Sequence, residues 1–247
     1  MLRLTNLAGF SAAKARGQAI PGNPPVTDPD FASVKLLLGF NGVDGATITA
    51  DESDNAAVLN SFIENAQLDQ AQQKWGSASL LLDGDGDAVH WDDDADFAIG
   101  SGEYTIDAWL RPASVPGVNV VFLEQWSSVQ RSISFGTHAT GTQISLRTST
   151  TGNTTTSTLL SGTLTWNVDQ WYHVASDRDS GGVIRIYRDG VFLAKHTQAT
   201  TLHDSTRVLE VGTDFDGHID DLRYTVGVAR YASDSGYTVP TEAFPRQ

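Results

Sequence analysis

The chain contains no cysteine among its 247 residues, which excludes a disulfide framework and a thiolate metal site. It also has no apolar run of the 18 or more residues that a membrane-spanning helix needs, so we expect no membrane partner. Glutamate is scarce, with 6 residues against 24 aspartates, a bias that favours turns over helices. The fold must therefore depend on its apolar core, and 40% of the residues are hydrophobic.

Acidic side chains are absent from residues 1–27. This segment carries the basic residues Arg3, Lys14 and Arg16 around an aromatic residue, Phe10. The remaining 13 basic and 30 acidic residues give the rest of the chain a formal charge of −17. Such an acidic body excludes nucleic acid as a partner, because phosphate contacts need clustered lysine and arginine. A basic arm before it predicts anchoring on an acidic surface of a partner or of another copy. A tail without a function is the alternative.

A proline-rich stretch at residues 20–29 joins this arm to the body and holds four of the eight prolines. Proline fixes φ and disfavours helix, so we predict an extended spacer. The predicted division is an arm and linker over residues 1–33, then one domain over 34–247 that ends in an extended C-terminal segment. The N-terminus lacks the apolar stretch of a secretory signal, so we expect synthesis and assembly in the cytoplasm.

Short strands separated by turns are predicted from residue 34 onward, with a turn about every 8 to 14 residues. Within 104–110 the period of two predicts a strand. Its core face would carry Tyr104, Ile106, Ala108 and Leu110. Residues 50–71 are polar and irregular, and the only helix we expect is one or two turns within 55–73. The pattern is typical of an all-β sandwich.

Six motifs resemble one known family in their order and spacing. They are GSASLLLDG at 76–84, YTIDAWLRP at 104–112, WYHVA at 171–175, IRIYRDG at 184–190, GHIDDLRY at 217–224 and GVARY at 227–231. Together they resemble a laminin-G-like, concanavalin A-like domain over roughly residues 34–245. The resemblance implies a jelly-roll sandwich of two antiparallel sheets, here with an extended N-terminal arm. The last motif is similar to versions carried by tailed-bacteriophage virion proteins.

The family includes lectins, carbohydrate-binding modules, glycanases and virion surface proteins, so the fold alone does not choose the function. The phage-like motif and the basic arm together predict a structural or accessory protein on the surface of a tailed-phage virion. It would serve as capsid decoration or as a tail-borne adhesin. Its partners would be other virion proteins, copies of itself as in a homotrimer, and glycans of the host surface. The alternative is a free-standing bacterial carbohydrate-binding module.

One predicted strand can be compared with the catalytic strand of the glycanases of this family, which carries an acid-x-acid-x-acid pattern. The nearest match places Thr105 in the middle, between Glu103 and Asp107. Those two carboxylates would lie about 13 Å apart at ~3.3 Å per residue, whereas glycosidase pairs are about 5 to 9.5 Å apart. We predict that both are solvated acids, that His173 is a packed side chain, and that the protein is not an enzyme.

Three tryptophans are candidates for stacking on a sugar ring: Trp91, Trp109 and Trp126. Trp109 has the opposite parity to the core face of its strand, which favours exposure on a sheet. Core packing is the alternative for each of them.

Calcium is the metal that the sequence favours. Seven aspartates and no lysine or arginine lie within residues 83–96, and oxygen-rich clusters suit this hard cation. A plain Asp-Gly turn is the alternative. The family resemblance implies a structural Ca²⁺ near Asp220, which shares parity with Leu222 and Tyr224 and would point inward, where it needs a donor or a cation. Asp83 at a strand end is the second candidate.

Overall fold

A computed structural model describes residues 27–117, 119–138 and 141–247 of the chain. The predicted anchoring residues Arg3, Phe10, Lys14 and Arg16 lie outside the described residues. The strands of the described part are β1 Val34–Leu38, β2 Leu59–Ile63, β3 Gln67–Asp69, β4 Ser79–Asp83, β5 Ala88–Trp91, β6 Tyr104–Pro112, β7 Val121–Glu124, β8 Ile133–Thr137, β9 Ile144–Thr148, β10 Ser157–Leu160, β11 Tyr172–Arg178, β12 Val183–Arg188, β13 Val191–Thr197, β14 Leu209–Val211 and β15 Asp216–Val226. Two 3-10 turns occupy Phe31–Ser33 and Ala95–Phe97, and no helix of this part is long and apolar enough to span a bilayer.

The strands form two antiparallel sheets that face each other, as the sequence predicts. Sheet A has eight strands, in the order β13-β12-β11-β6-β15-β4-β3, with β1 also paired to β15. Sheet B has seven strands, in the order β10-β9-β8-β7-β14-β5-β2. Because strands that are neighbours in the chain often lie in different sheets, the chain crosses repeatedly between the two layers. The all-β jelly-roll prediction is confirmed.

The main core lies between the inner faces of the two sheets. On β6 the predicted core residues Tyr104, Ile106, Ala108 and Leu110 are all at most 2% exposed. They meet aromatic and aliphatic side chains of sheet B, among them Phe135 on β8. The period of two therefore identified the buried face of this strand correctly, because alternate side chains of a strand point to opposite faces.

Strand β15 is the longest and lies inside sheet A. It pairs with β6 along its length, with β4 through its first half and with β1 through its second half. Its register with β6 shifts between Asp220 and Arg223, and Asp221 has a φ of 45°. This irregularity is a bulge, which changes the face on which the following side chains lie.

The bulge overturns the predicted orientation of Asp220. Leu222 and Tyr224 lie in the core between the sheets, as expected. Asp220 instead lies opposite Trp109 of β6, on the outer face of sheet A. The parity argument fails here because it assumes an uninterrupted strand.

Residues 55–73 form strands rather than the predicted helical turns. Strand β2 pairs with β5 at one edge of sheet B, and β3 pairs with β4 at one edge of sheet A. Their polar, irregular sequence fits edge positions, where one side of each strand has no partner strand. Pairing within the fold decides such segments, because intrinsic strand preference is weak and depends on context.

The outer face of sheet A is covered by the C-terminal segment, residues 227–247. Tyr231 and Tyr237 of this segment stack with ring centroids 3.7 Å apart and an interplanar angle of 13°. Further along, Phe244 is 3% exposed and packs with Phe31 and Leu37 in a second, smaller core cluster. The central strands of sheet A are therefore buried on both faces.

The folded body begins upstream of the predicted boundary at residue 34. The backbone N–H of Asp28 donates to the carbonyl of Gln247 at 2.8 Å. Its carboxylate lies 2.8 Å from Arg230 Nη2 and 3.5 Å from Arg223 Nη1. Residues 28–33, assigned to the linker by sequence, thus belong to the layer that covers sheet A.

Candidate functional site

The outer face of sheet A does not present the predicted solvated acid. Asp107 is fully buried, and Arg223 donates to it from Nε at 3.1 Å and from Nη2 at 2.7 Å. The hydroxyl of Tyr231 also donates to this carboxylate, at 2.5 Å. Burial acts to raise the pKa of Asp107, but Arg223 and the hydrogen bonds hold it below the usual value. The prediction of a solvated side chain is wrong for Asp107, because residues 227–247 cover it.

His173 is packed in the same layer, as predicted. Its Nδ1 lies 2.6 Å from the hydroxyl of Tyr237, and its Nε2 lies 4.0 Å from Asp107 Oδ2. Burial lowers the pKa of His173 to about 4, so the ring is neutral at physiological pH. A buried neutral imidazole that is closed off from solvent is not placed to exchange protons with a substrate.

A cleft of about 440 Å³ lies between the C-terminal segment and β15. Arg223, Arg230 and Phe244 contribute to its lining. Both arginines pair with Asp28, and Arg223 pairs with Asp107 as well. Their charges are compensated within the protein, so the cleft is not a site for an anion.

Two of the three predicted stacking tryptophans are unsuitable for binding a sugar. Trp91 is 0% exposed because it occupies an inward position on β5. Trp109 lies on the outer face of sheet A as expected, yet it is only 5% exposed. The Lys74 ammonium covers its ring at 3.8 Å from the centroid, and Trp75 contacts its edge. The stacking prediction is wrong for Trp91 and Trp109, because neither ring has a free face.

The predicted calcium ligands have other partners. Asp220 Oδ2 accepts hydrogen bonds from the backbone N–H groups of Lys74 at 2.7 Å and Trp75 at 2.9 Å, and Oδ1 accepts from Asp221 at 2.7 Å. Burial raises the pKa of Asp220 to about 7. These donors supply what a buried carboxylate needs. A site built from N–H groups does not fit Ca²⁺, which requires several oxygen ligands.

Asp83 does not fit the cation either. It is exposed, and its carboxylate accepts from the Asn65 side chain at 2.9 Å and from the backbone of Asp85 at 3.0 Å. In the described ranges no three histidine, aspartate or glutamate side chains are grouped so that they could hold a metal ion. The acidic stretch is therefore arranged as hydrogen-bonded turns.

The outer face of sheet B carries a row of polar side chains that crosses five neighbouring strands. Strand pairing places Arg147 of β9 opposite Ser134 of β8, and Ser134 opposite Glu124 of β7. Glu124 in turn lies opposite Glu210 of β14, and Glu210 lies opposite His90 of β5. We call these five residues the polar row. Their inner-face neighbours in the strands belong to the core.

Side-chain contacts occur at both ends of the polar row. Arg147 Nη2 donates to Ser134 Oγ at 2.9 Å and lies 3.8 Å from Glu124 Oε2. At the other end, Glu210 Oε2 lies 3.8 Å from His90 Nε2. The row thus places two carboxylates side by side, with a cationic or titratable group beyond each.

Arg207 gives Glu210 a close counter-charge. Its Nε donates to Glu210 Oε1 at 2.9 Å, and its Nη2 donates to the same oxygen at 2.5 Å. The Oε2 atom of Glu124, by contrast, is buried and has no hydrogen-bond partner among the residues that the structure describes. Burial raises the pKa of Glu124 to about 7, and the neighbouring charge of Glu210 acts in the same direction. Glu124 therefore exchanges a proton near neutral pH.

Trp126 borders the arginine end of the polar row and is half-buried. The guanidinium carbon of Arg147 lies 5.3 Å from the centroid of the Trp126 ring, and that of Arg131 lies 5.6 Å away. Both distances are within the range of cation–π attraction. We call Trp126, Arg131 and Arg147 the Trp126 surface. It combines an aromatic ring with two groups that donate hydrogen bonds.

The sequence identified Trp126 but not its partners. Arg147 follows Ile144 and Leu146, both in the core, so parity alone would have placed it on the outer face. Glu124 and Glu210 are separated by 85 intervening residues, and no spacing rule connects them. Only the order of strands in sheet B brings these side chains together.

The family's sequence profile, described as the concanavalin A-like lectin/glucanases superfamily, matches residues 83–226. This match covers more than half of the chain. The chain belongs to this superfamily. No curated protein matches it by sequence.

Solved structures show the same fold at low sequence identity. The binding domain of Paraclostridial Mosquitocidal Protein 1 is 12% identical with a TM-score of 0.61, and the match covers 81% of this chain and 50% of that one. The binding domain of botulinum neurotoxin serotype D is 12% identical with a TM-score of 0.61, and the match covers 82% of this chain and 50% of that one. The chain spans about half the length of these toxin domains. Domain 4 of AbnA, an extracellular arabinanase of Geobacillus stearothermophilus, is 16% identical with a TM-score of 0.57, covering 79% of this chain and 93% of that domain.

Proposed function

We propose that the chain is a non-enzymatic carbohydrate-binding module and that it contacts cell-surface glycans through the Trp126 surface. The observation that carries this proposal is the position of Trp126 on the outer face of sheet B, half-buried beside two guanidinium groups. Sugars are commonly held by an aromatic ring together with a few convergent polar groups. The match to the arabinanase domain covers 93% of that domain, which was solved in complex with arabinotriose.

The experiment is glycan-array binding of the full chain, followed by calorimetric titration with the glycans that bind. We expect Trp126→Ala to weaken binding at least about tenfold, since stacking on an aromatic ring contributes about 1–3 kcal/mol in other systems. Trp75→Ala is the matched control, because Trp75 is also half-buried but lies on the sheet A side. Binding that is lost in Trp75→Ala and kept in Trp126→Ala would contradict the proposed site.

The non-enzymatic part of the proposal rests on the surroundings of the carboxylates. Asp107 is held by Arg223 beneath the C-terminal segment, and Glu124 and Glu210 are 8% and 6% exposed. Each has little surface with which to reach a glycosidic bond. We expect no new reducing ends when the bound glycan is incubated with the full chain. If new reducing ends form with the parent chain and not with Glu124→Gln, the pair of Glu124 and Glu210 is catalytic.

We also propose that this module is displayed on the surface of a tailed-phage virion, as capsid decoration or as a tail-borne adhesin. The basic segment before the acidic body and the GVARY motif at 227–231 support this role. Geometry supports it too, because the body begins at the layer that covers sheet A, whereas Trp126 lies on the outer face of sheet B. A body held by its N-terminal side would present the Trp126 surface outward.

The test compares the full chain with a variant that lacks residues 1–26 and retains Asp28. We expect both to fold, and we expect only the full chain to form an oligomer such as a trimer or to co-sediment with phage particles. Light scattering and sedimentation report the two properties. Monomers in both cases, with glycan binding kept, would favour a free-standing module instead.

A further inference from the structure

We infer that the ligand of the Trp126 surface is an acidic saccharide, one whose sugar carboxylate is bound by Arg147 and Arg131. This inference rests on the proposed carbohydrate-binding function and names the chemical class of the ligand. It makes the polar row part of the binding site, with Glu124 as the group that competes with the ligand for Arg147.

Arg147 has a guanidinium group that is not neutralised by a close carboxylate. Its nearest acidic oxygen, Glu124 Oε2, is 3.8 Å away, beyond hydrogen-bond distance. Within the described residues its Nη2 donates to the neutral hydroxyl of Ser134, and its Nε is buried without a partner. The Arg147 side chain is 27% exposed, so part of it reaches solvent. A planar guanidinium with free donors is suited to two-point binding of a carboxylate.

Arg131 adds a second positive charge on the same aromatic ring. It donates from Nε to the carbonyl of Ser127 at 3.0 Å and from Nη1 to the carbonyl of Asn153 at 2.8 Å. These carbonyl contacts fix its position without cancelling its charge. No ion pair of Arg131 occurs in the part of the chain that the structure describes. Every other arginine of this part has an acidic oxygen within 4 Å, apart from the buried Arg178, which is bound to backbone carbonyls.

The charge on Glu124 determines how strongly the Arg147 guanidinium can attract an anionic ligand. Burial raises the pKa of Glu124 to about 7 and Glu210 on β14 raises it further, while Ser134, Arg147 and Arg207 oppose the shift. His90 on β5 faces Glu210 rather than Glu124. When Glu124 takes up a proton, the acid that lies 3.8 Å from Arg147 loses its charge. An anionic ligand then meets less repulsion.

The affinity for an acidic saccharide should therefore rise as the pH falls from about 8 to about 6. A sugar carboxylate stays ionised over this range, because its pKa is that of an ordinary carboxyl group. The coupling is reciprocal, so the bound anion should also favour protonation of Glu124. A neutral sugar has no charge to sense Glu124, and its affinity should not follow this titration.

The experiment uses trigalacturonate and its methyl ester, in which a neutral O-methyl group replaces each charged oxygen, in calorimetric titrations of the full chain. We expect the free acid to bind about tenfold more tightly than the ester at about pH 6, and the preference to shrink at about pH 8. Arg147→Gln should weaken the preference and remove its dependence on pH, because Arg131 remains and Glu124 no longer has this cation to compete for. Glu124→Gln should keep it at both pH values. Arg111→Gln, on the sheet A side and paired with Asp169 at 2.9 Å, is the control and should behave like the parent chain.

Equal binding of acid and ester, or array binding confined to neutral glycans, would overturn the inference and leave the proposed function standing. A preference for the acid that is unchanged in Arg147→Gln, with the same dependence on pH, would also overturn it. Absence of binding to every glycan on the array would contradict the inference and the proposed function together.

Discussion

Arg223 of β15 and Asp107 of β6 form a two-point ion pair that is shut away from solvent beneath the C-terminal segment. The ring of Phe244 lies over the guanidinium at 3.9 Å from its carbon to the ring centroid. Two charged groups in the middle of a sheet are tolerable here only because each satisfies the other. The contact joins the sandwich to residues 227–247, which bury this part of the outer face of sheet A.

Replacing Arg223 by methionine should destabilise the protein strongly. The substitution keeps much of the side-chain volume but leaves Asp107 buried without its cation, a loss of about 3–5 kcal/mol in comparable pairs. Urea denaturation gives the change in the free energy of unfolding. The control is Lys195→Met, which breaks an exposed ion pair with Asp234 and should change the free energy of unfolding little, because solvent screens the pair. Similar small losses in both variants would show that the buried pair contributes little.

Phe244→Ala should detach the end of the C-terminal segment. The ring is 3% exposed and packs against Phe31, Val34 and Leu37. Removing a buried phenylalanine typically costs about 3–5 kcal/mol. Faster hydrogen exchange at residues 238–247 should accompany this loss of stability. The control is Val43→Ala, at a side chain that is 70% exposed, which should change the free energy of unfolding by less than about 0.5 kcal/mol. Unchanged protection of the segment would mean that other contacts hold it.

The stability of the protein should fall in mild acid partly because of His173. Burial lowers its pKa to about 4 in the folded protein, against ~6.5 in an unfolded chain. Because the folded pKa is depressed, the unfolded state binds more protons between these values. The contribution of His173 is therefore present above about pH 6.5 and is lost as the pH falls towards 4.

This effect is measured by comparing the parent chain with His173→Gln, in which an amide can still bond to Tyr237. Between about pH 7 and about pH 5, the free energy of unfolding should decrease more in the parent than in the variant. The comparison cancels the titration of the other buried groups, among them Asp177, whose pKa is raised by burial to about 6. Parallel pH curves would show that the imidazole does not gain a proton on unfolding.

Calcium should not change the melting temperature of the protein. Asp220 accepts three backbone N–H groups, and Asp83 is an exposed turn residue. Thermal unfolding in excess Ca²⁺ and in excess EDTA should coincide. Asp220→Ala should cost about 1–3 kcal/mol, since it leaves the N–H groups of Lys74 and Trp75 without their acceptor. A melting temperature that rises with calcium in the parent but not in this variant would instead identify Asp220 as a ligand.

The sequence by itself was sufficient for the fold class and for the core face of β6. The period of two in β6 identified the four residues that face the other sheet, because a strand that is regular along its length must alternate. The jelly roll itself was implied by the resemblance of six motifs, in their order and spacing, to a known family. Composition also excluded disulfides.

The tertiary structure decided which side chains are accessible and which meet. Asp107 and Trp109 have outward parity, yet the C-terminal segment and Lys74 cover them, and coverage by a distant part of the chain leaves no mark on local periodicity. The bulge in β15 moved Asp220 to the other face. The polar row beside Trp126 exists only because five strands from separate parts of the chain lie next to one another in sheet B. Local sequence determines the face of a strand, whereas the neighbours across that face follow from the order of strands in the folded sheet.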